Sequence, residues 1–211
     1  MSVPVTSSTV FIGEGAFALR CLDALVARGL RPALVASFDA SLADACARLG
    51  LAHVGEREDV RAWLLSHGCD WLLSVRNPWL VSADTLAMVR RLAIAFHDGP
   101  LPRYTGLHAT SWAILQGERE YGVSWHELTP GIDDGRLLVQ VPVPITATDT
   151  AFSLNIKCFG AGVAAFERVL DVIAGGPIPL APQVGIRSDM GIERPSAQCI
   201  IDWQCPAQAI V

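Results

Sequence analysis

The stretch TVFIGEGAFALRCLDALVARG, residues 9–29, contains the pattern that decides the fold class. Residues 9–12 form a short, continuous apolar run of the kind found in buried strands, and Gly13 and Gly15 end it. From residue 16 to residue 30 apolar side chains recur at helical spacing, and Gly29 closes that segment. The stretch therefore predicts a buried strand, a tight turn and a helix in direct succession.

The same alternation continues as far as residue 97. Apolar runs at residues 33–36, 71–74 and 92–96 predict further strands, and helical spacing at residues 41–49, 60–65 and 82–89 predicts helices between them. Strands that are apolar along their whole length are typical of a parallel sheet that helices cover on both faces. We therefore predict an α/β fold with a doubly wound, Rossmann-like parallel sheet and right-handed connections.

Beyond residue 97 the pattern changes. A loop rich in glycine and proline, residues 98–106, precedes a predicted helix at 109–116, predicted strands at 122–128 and 136–143, and a predicted helix at 149–174 with Thr148 or Thr150 as its N-cap. Prolines interrupt the pattern from Pro177 onward, and residues 200–203 form a last apolar piece. We predict a catalytic domain over residues 1–180, followed at 181–211 by a linker or the start of a truncated C-terminal subdomain.

Composition and charge exclude several classes of function. The chain has 211 residues, of which 51% are hydrophobic and 18% charged, so it can bury a core without disulfide or metal cross-links. Its net charge of -5 and its single adjacent basic pair, Arg90–Arg91, argue against a nucleic-acid partner. No apolar run is long enough for a membrane span, and the first residues lack the pattern of a signal peptide. We expect a cytoplasmic protein whose six cysteines are reduced and act as small buried apolar residues.

The glycine turn by itself permits a dinucleotide-binding interpretation. GEGAFA, residues 13–18, satisfies G-x-G-x-x-A, and Asp39 follows the next predicted strand, where a carboxylate could bind a ribose. However, any doubly wound domain needs a tight first turn, and Glu14 would place a carboxylate where a pyrophosphate should lie. We favour a structural role for this turn and keep a nicotinamide enzyme as an alternative.

Two polar segments concentrate the residues suited to catalysis. His97 leaves the predicted strand at 92–96 at its carboxyl end, where open parallel sheets bind ligands, and an imidazole there can handle protons. Asp133 lies in a glycine-flanked turn, residues 130–135, and a carboxylate beside an imidazole orients the ring. An alternative is a zinc site built from His97, His126 and Asp133, but their spacing matches no usual zinc motif. We therefore predict no metal.

Three longer segments of the sequence resemble those of a known protein family. FHDGPLPRYTGLHATSWAILQGE, YGVSWHELTPGIDDGRLL and DTAFSLNIKCF, which begin at residues 96, 121 and 149, resemble the 10-formyltetrahydrofolate-dependent formyltransferases. Within that family the chain is most similar to the formylation domains that begin nonribosomal peptide synthetases, and the opening residues 10–29 fit the same version. The resemblance implies the N-terminal catalytic fold of the formyltransferases and a formyl transfer from the folate to a primary amine.

The resemblance also assigns catalytic positions. The family places an Asn and a His at the end of one strand and an Asp before a Gly; the His corresponds to His97 and the Asp to Asp133, while the Asn position is Ala95. The family's Asn polarises the formyl oxygen, and losing one such donor costs about 100- to 1000-fold in rate. A weakened enzyme, or a folate- or partner-binding module with impaired catalysis, is therefore an open alternative.

Binding residues and partners are implied in the same way. The pterin ring would lie between residues 77–81 and the turn 128–133, with contacts expected from Asn77, Trp79, Val81, Leu128, Gly131 and Ile132. The acceptor would be an aminoacyl group on a carrier protein, as in the synthesis of peptide antibiotics, with a nucleotide-linked amino sugar as the alternative. The tail, residues 194–211, would begin a linker to a further domain.

Overall fold

The predicted parallel sheet forms the centre of the molecule. The computed structural model describes residues 8–77, 79–189 and 203–206. Within them, seven strands follow in chain order: β1 (Thr9–Gly13), β2 (Leu34–Ala36), β3 (His53–Val54), β4 (Cys69–Val75), β5 (Val89–His97), β6 (Glu120–Glu127) and β7 (Leu137–Pro144). They form one sheet in the order β3-β2-β1-β4-β5-β6-β7. β1 to β5 are parallel, whereas β6 and β7 are antiparallel to their neighbours.

Helices cover both faces of this sheet. They are α1 (Gly15–Ala27), α2 (Ala40–Leu49), α3 (Arg57–His67), α4 (Ala83–Leu86), α5 (Ala109–Leu115) and α6 (Ala151–Ile173). Side chains of α1, α2 and α6 share one core with Phe11, Trp71 and Trp125 of the sheet. Side chains of α3 and α4 pack on the opposite face, against residues such as Val10 and Leu72. The doubly wound α/β prediction is therefore confirmed.

A close approach of α6 to the sheet fixes the strand that ends in His97. A β-carbon at Gly162 would lie 2.5 Å from the Phe96 ring, so only glycine fits at this contact. The carbonyl of Gly162 accepts a hydrogen bond from Trp125 Nε1 at 3.0 Å. At its start, α6 is capped reciprocally by Thr150 and Ser153, as one of the two predicted caps required. Helix α6 therefore packs against Phe96 of β5 and Trp125 of β6, the neighbours in sequence of His97 and His126.

The structure corrects several predicted boundaries. The helix predicted at 82–89 is a single turn, α4, because Val89 already pairs with Cys69 in the sheet. Arg90 and Arg91 consequently lie in β5, where Arg90 forms a 2.8 Å ion pair with Asp70, and not in a helical end. Strand β3 was not predicted, because two residues without an apolar run give no periodic signal.

The cysteines largely follow the expectation. Cys21, Cys46, Cys69 and Cys158 are buried and unbridged, and burial raises the pKa of the Cys69 thiol to about 11. Cys205 is exposed, and Cys199 lies outside the described residues, as does most of the apolar piece predicted at 200–203. The division of the chain after residue 180 stays a prediction. None of the helices in the described ranges is long and apolar enough to cross a membrane.

Candidate active site

Two neighbouring strands place four side chains on one face at the edge where β5 ends. Ala95 and His97 alternate with the partly buried Phe96 along β5, and they lie opposite His126 and Ser124 of β6 respectively. Residues directly opposite each other in an antiparallel pair point to the same face. The register therefore brings two imidazoles, His97 and His126, to one side of the sheet. Sequence spacing alone does not reveal this pairing.

Asp133 reaches both imidazoles from the turn that follows β6. Its Oδ2 lies 3.5 Å from Nδ1 of His97, and its Oδ1 lies 3.5 Å from Nε2 of His126. The backbone N–H of Gly106 donates to Oδ2 at 2.8 Å. Asp133 has a φ of 49°, a left-handed conformation that is uncommon for residues other than glycine. The predicted proximity of His97 and Asp133 is thus present, and His126 joins them.

The outer nitrogen of His97 is anchored by the proline-rich loop. His97 Nε2 lies 2.6 Å from the carbonyl oxygen of Tyr104, to which it donates, since a carbonyl can only accept. Ser124 ties the same loop to β6, because its hydroxyl donates to the Gly99 carbonyl at 2.8 Å and accepts from the Leu101 N–H at 3.2 Å. The loop therefore fixes the ring so that Nδ1 faces Asp133.

The charge state of Asp133 follows from these neighbours. Burial alone would raise the pKa of its carboxyl, since only 19% of the side chain is exposed. The contact with His126, the charge of His97 and the N–H of Gly106 outweigh burial and lower the pKa of Asp133 to about 2. Asp133 is therefore ionised at neutral pH and can orient an adjacent imidazole.

Residues after α6 hold the Asp133 turn from outside, which sequence reasoning missed. Gln183 Nε2 donates to the carbonyls of Asp133 and Gly135, each at 2.8 Å, and Arg187 donates to the Ile132 carbonyl at 2.7 Å. Ser188 accepts a 2.8 Å hydrogen bond from the Tyr104 N–H. The segment 181–189 thus ties together the two loops that meet at the His97–Asp133 contact.

We expect Gln183→Ala to lower the unfolding free energy by about 1–3 kcal/mol, because two hydrogen bonds on a left-handed turn are lost. Denaturant unfolding monitored by circular dichroism measures this change. Gln183→Glu is the matched comparison: its carboxylate would face two carbonyl oxygens without a donor, so it should destabilise at least as much. Wild-type stability in both variants would show that segment 181–189 does not hold the turn.

The residues predicted to contact a pterin fall into two groups. Trp79 and Val81 line a cavity of about 240 Å³ together with Ile12, Val60 and Thr85 among others. The side chain of Asn77 instead closes its own loop, because its Oδ1 accepts from the Trp79 N–H at 2.9 Å and its Nδ2 donates to the Trp79 carbonyl at 3.0 Å. Pro78, within the predicted segment 77–81, lies outside the described residues.

The second group belongs to the turn after β6. Leu128 packs against the same apolar cluster as Trp79, so both lie on one side of the sheet. Gly131 lies against the carboxylate of Asp134, which leaves no room for a β-carbon, and Ile132 is exposed. Neither residue lines the cavity. The structure therefore brings Trp79, Val81 and Leu128 to one region and does not bring Gly131 and Ile132 into the cavity.

The glycine turn after β1 is filled by the protein's own carboxylates. Asp39 accepts from the Gly15 N–H at 2.9 Å and caps α2 through the Ser41 N–H at 2.7 Å. Glu14 accepts from the Phe38 N–H at 2.7 Å. The contacts of Asp39 use the Gly15 N–H that a pyrophosphate would need and the carboxylate that a ribose would need, which supports the structural role of the turn. Among the residues that the structure describes, no cluster has the composition and geometry to hold a metal ion.

Comparison with known protein families matches the part of the chain that contains the candidate site. A family model described as formyl transferase matches residues 51–170, more than half of the chain. Three similar solved structures share 19–20% sequence identity with it, a level that shows the fold alone. An N-formyltransferase from Helicobacter canadensis, in complex with folinic acid and dTDP-3-aminofucose, is 19% identical with a TM-score of 0.75, over 97% of this chain and 78% of that one.

The other two structures represent different acceptors. The sugar 3N-formyl transferase WlaRD, in the presence of dTDP and 5-N-formyl-THF, is 19% identical with a TM-score of 0.71, over 88% of this chain and 70% of that one. Glycinamide ribonucleotide transformylase 1 from Symbiobacterium toebii is 20% identical with a TM-score of 0.71, over 84% of this chain and 95% of that one.

Proposed function

Because this chain belongs to the formyl transferase family, we propose that it moves the formyl group of 10-formyltetrahydrofolate to a primary amine. The observation that carries the proposal is the contact between His97 Nδ1 and Asp133 Oδ2, 3.5 Å apart at the end of β5. Both groups are fixed by backbone partners, the Tyr104 carbonyl and the Gly106 N–H. Such preorganisation is what a proton-handling pair requires.

The roles of the three catalytic positions follow from chemistry and geometry. His97 would accept the proton that the amine loses on attack, and Asp133, ionised and 3.5 Å away, would stabilise the charged ring. Ala95 lies on the same face as His97 but offers no hydrogen-bond donor for a developing oxyanion. The proposed enzyme is therefore slower than one with a donor at position 95.

The residues around the cavity and the Asp133 turn would bind part of a folate donor, its ring. When bound, the folate supplies the formyl group on its nitrogen. Trp79 and Val81 would form one wall of its ring site, and Leu128, Gly131 and Ile132 the approach from the Asp133 turn; Asn77 would act by shaping the loop. Similar structures hold formylated folates, which supports the assignment. A cavity of about 240 Å³ is smaller than the roughly 300–1,000 Å³ of complete ligand sites, so it would take the ring and leave the tail outside.

For the acceptor we propose an aminoacyl group carried on a protein. Asp98 follows His97 and accepts from Asn155 Nδ2 on α6 at 3.0 Å, so the first turns of α6 border the site. Phe152 and Ile156, on either side of Asn155, are 76% and 55% exposed. Exposed apolar side chains beside a site are typical of surfaces that contact another protein.

Two alternatives are favoured by specific observations. Sugar-nucleotide formyltransferases are among the similar structures, which favours an amino sugar as acceptor. Ala95 favours a folate- or partner-binding module with impaired catalysis. A mass-spectrometric assay for formyl gain separates all three, when aminoacyl carrier protein and dTDP-amino sugar are each incubated with the protein and 10-formyltetrahydrofolate. Formyl gain on neither amine, even in a single turnover, would contradict the enzymatic proposal.

A formylated folate should raise the melting temperature. A ligand that binds only the folded state stabilises it by about 2.7 kcal/mol at a hundred times its dissociation constant. We therefore expect folinic acid to shift the thermal transition upward in a concentration-dependent way. NAD should produce no shift, because Asp39 already accepts from the Gly15 N–H of the glycine turn. A shift with NAD and none with folinic acid would contradict the folate assignment.

A further inference from the structure

His126 has an unsatisfied nitrogen at the centre of the candidate site. Its ring is 2% exposed, and Nδ1 lies 2.9 Å from the carbonyl of Glu127, to which it donates. Nε2 is fully buried and has no hydrogen bond of good geometry. Oδ1 of Asp133 lies 3.5 Å from it. A buried polar atom without a partner needs an explanation, and a functional role is one.

The two imidazoles stand in equivalent positions around Asp133. Each ring donates through its outer nitrogen to a backbone carbonyl and turns its inner nitrogen toward one carboxylate oxygen. A ring with one proton uses that proton on the carbonyl and presents a lone pair to the carboxylate, which is repulsive. A ring with two protons presents an N–H to the carboxylate, which is attractive. Each inner contact is therefore attractive only while that nitrogen carries a proton.

We propose that His126 is a positioning residue for formyl transfer: it holds Oδ1 of Asp133, so that Oδ2 stays directed at His97. This inference rests on the proposed function. In the transfer, a bond forms between the acceptor nitrogen and the formyl carbon, and the bond from that carbon to the folate nitrogen breaks. The acceptor amine loses one proton and the folate nitrogen gains one, so the three side chains only hold a proton in transit.

Two carboxylates act on His126, those of Asp133 and Glu127. From β6 itself, the neighbouring Glu127 carboxylate is paired with Arg136 at 2.8 and 3.0 Å. From β5, the residue opposite is Ala95, and His97 lies beyond the Asp133 carboxylate. From β4, the residue in register with Ala95 is Ser74, which is not ionisable here. Asp133 is thus the anion that an N–H at Nε2 meets.

The experiment uses the Gly106 amide as a reporter, because its N–H donates to Asp133 Oδ2 at 2.8 Å. Its proton chemical shift follows protonation of Asp133 in two-dimensional NMR spectra of the whole chain, with no substrate added. In His126→Phe we expect the midpoint of this transition to move to higher pH, because a group that favours the ionised carboxylate is lost. His126→Gln keeps an N–H donor without the charge, so its midpoint should move upward by less. His67→Gln, an exposed ring on α3, is the matched control and should leave it unchanged.

Activity gives the second readout. His126→Phe should lower kcat by about tenfold to a hundredfold, because Asp133 is then misplaced. The KM for the folate should stay nearly unchanged. His126→Gln should restore kcat in part. An unchanged Gly106 transition in both His126 variants would overturn the role of His126, whatever the activity. No transfer by the unmutated protein would instead overturn the proposed function, so the two failures are distinguishable. If His126→Phe does not fold, the smaller shift expected in His126→Gln still decides.

Discussion

Replacing His97 with alanine, or Asp133 with asparagine, should lower the rate of formyl transfer by at least about a hundredfold. A positioned acid–base group contributes roughly 10²–10⁴-fold, and each replacement removes one half of the same pair. His97→Ala removes the proton acceptor, while Asp133→Asn removes the charge that stabilises its protonated ring at 3.5 Å. Single-turnover rates measured by mass spectrometry on saturating amine and folate give the effect directly.

The double variant tests whether the pair acts as one unit. Loss of both side chains should cost about as much as loss of either, because residues that act together are strongly non-additive. Asp134→Asn is the control, since this neighbour in the same turn accepts from the Thr129 hydroxyl and does not contact His97. If the rate losses of the two single variants multiply in the double variant, the two residues act separately. If Asp134→Asn transfers as slowly as Asp133→Asn, the turn matters only for folding.

Ala95→Asn should raise the rate of formyl transfer by at least about tenfold, the low side of what one oxyanion donor contributes. Position 95 shares its face with His97, so an amide there could reach the oxygen of a formyl group that reacts beside His97. The added amide can be hydrogen-bonded by the ligand or by water, so the fold should tolerate it. The rate is measured in single turnovers. If the affinity for the folate is unchanged, a higher single-turnover rate belongs to the chemical step.

The control for this gain is a side chain of similar size without a donor. Ala95→Leu fills the same space but offers no N–H, so it should not accelerate transfer. A gain of equal size with leucine would assign the effect to packing. If Ala95→Asn folds and binds folinic acid without transferring faster, then Ala95 serves another chemistry or a binding role.

The fold followed from local patterns to a large extent. Runs such as residues 9–12 and 92–96 identified buried parallel strands, because only a sheet covered on both faces keeps every side chain of a strand apolar. Thr150 marked the start of α6 because its side chain caps the first turn locally. Local patterns failed where neighbours in space decide the outcome. Val89 begins a strand because it pairs with Cys69, and β3 exists only as an edge partner of β2.

The candidate site, too, was determined partly by local sequence and partly by the tertiary structure. The sequence by itself determined that His97 ends a strand and that Asp133 lies in a glycine-flanked turn, since strand ends and turn chemistry are encoded within a few residues. Only the tertiary structure decided that Asp133 meets two imidazoles, because strand register places His126 beside Ala95. Likewise, Gln183 reaches the Asp133 turn from 50 residues away. Contacts of that kind depend on how distant segments pack together, and no local periodicity records them.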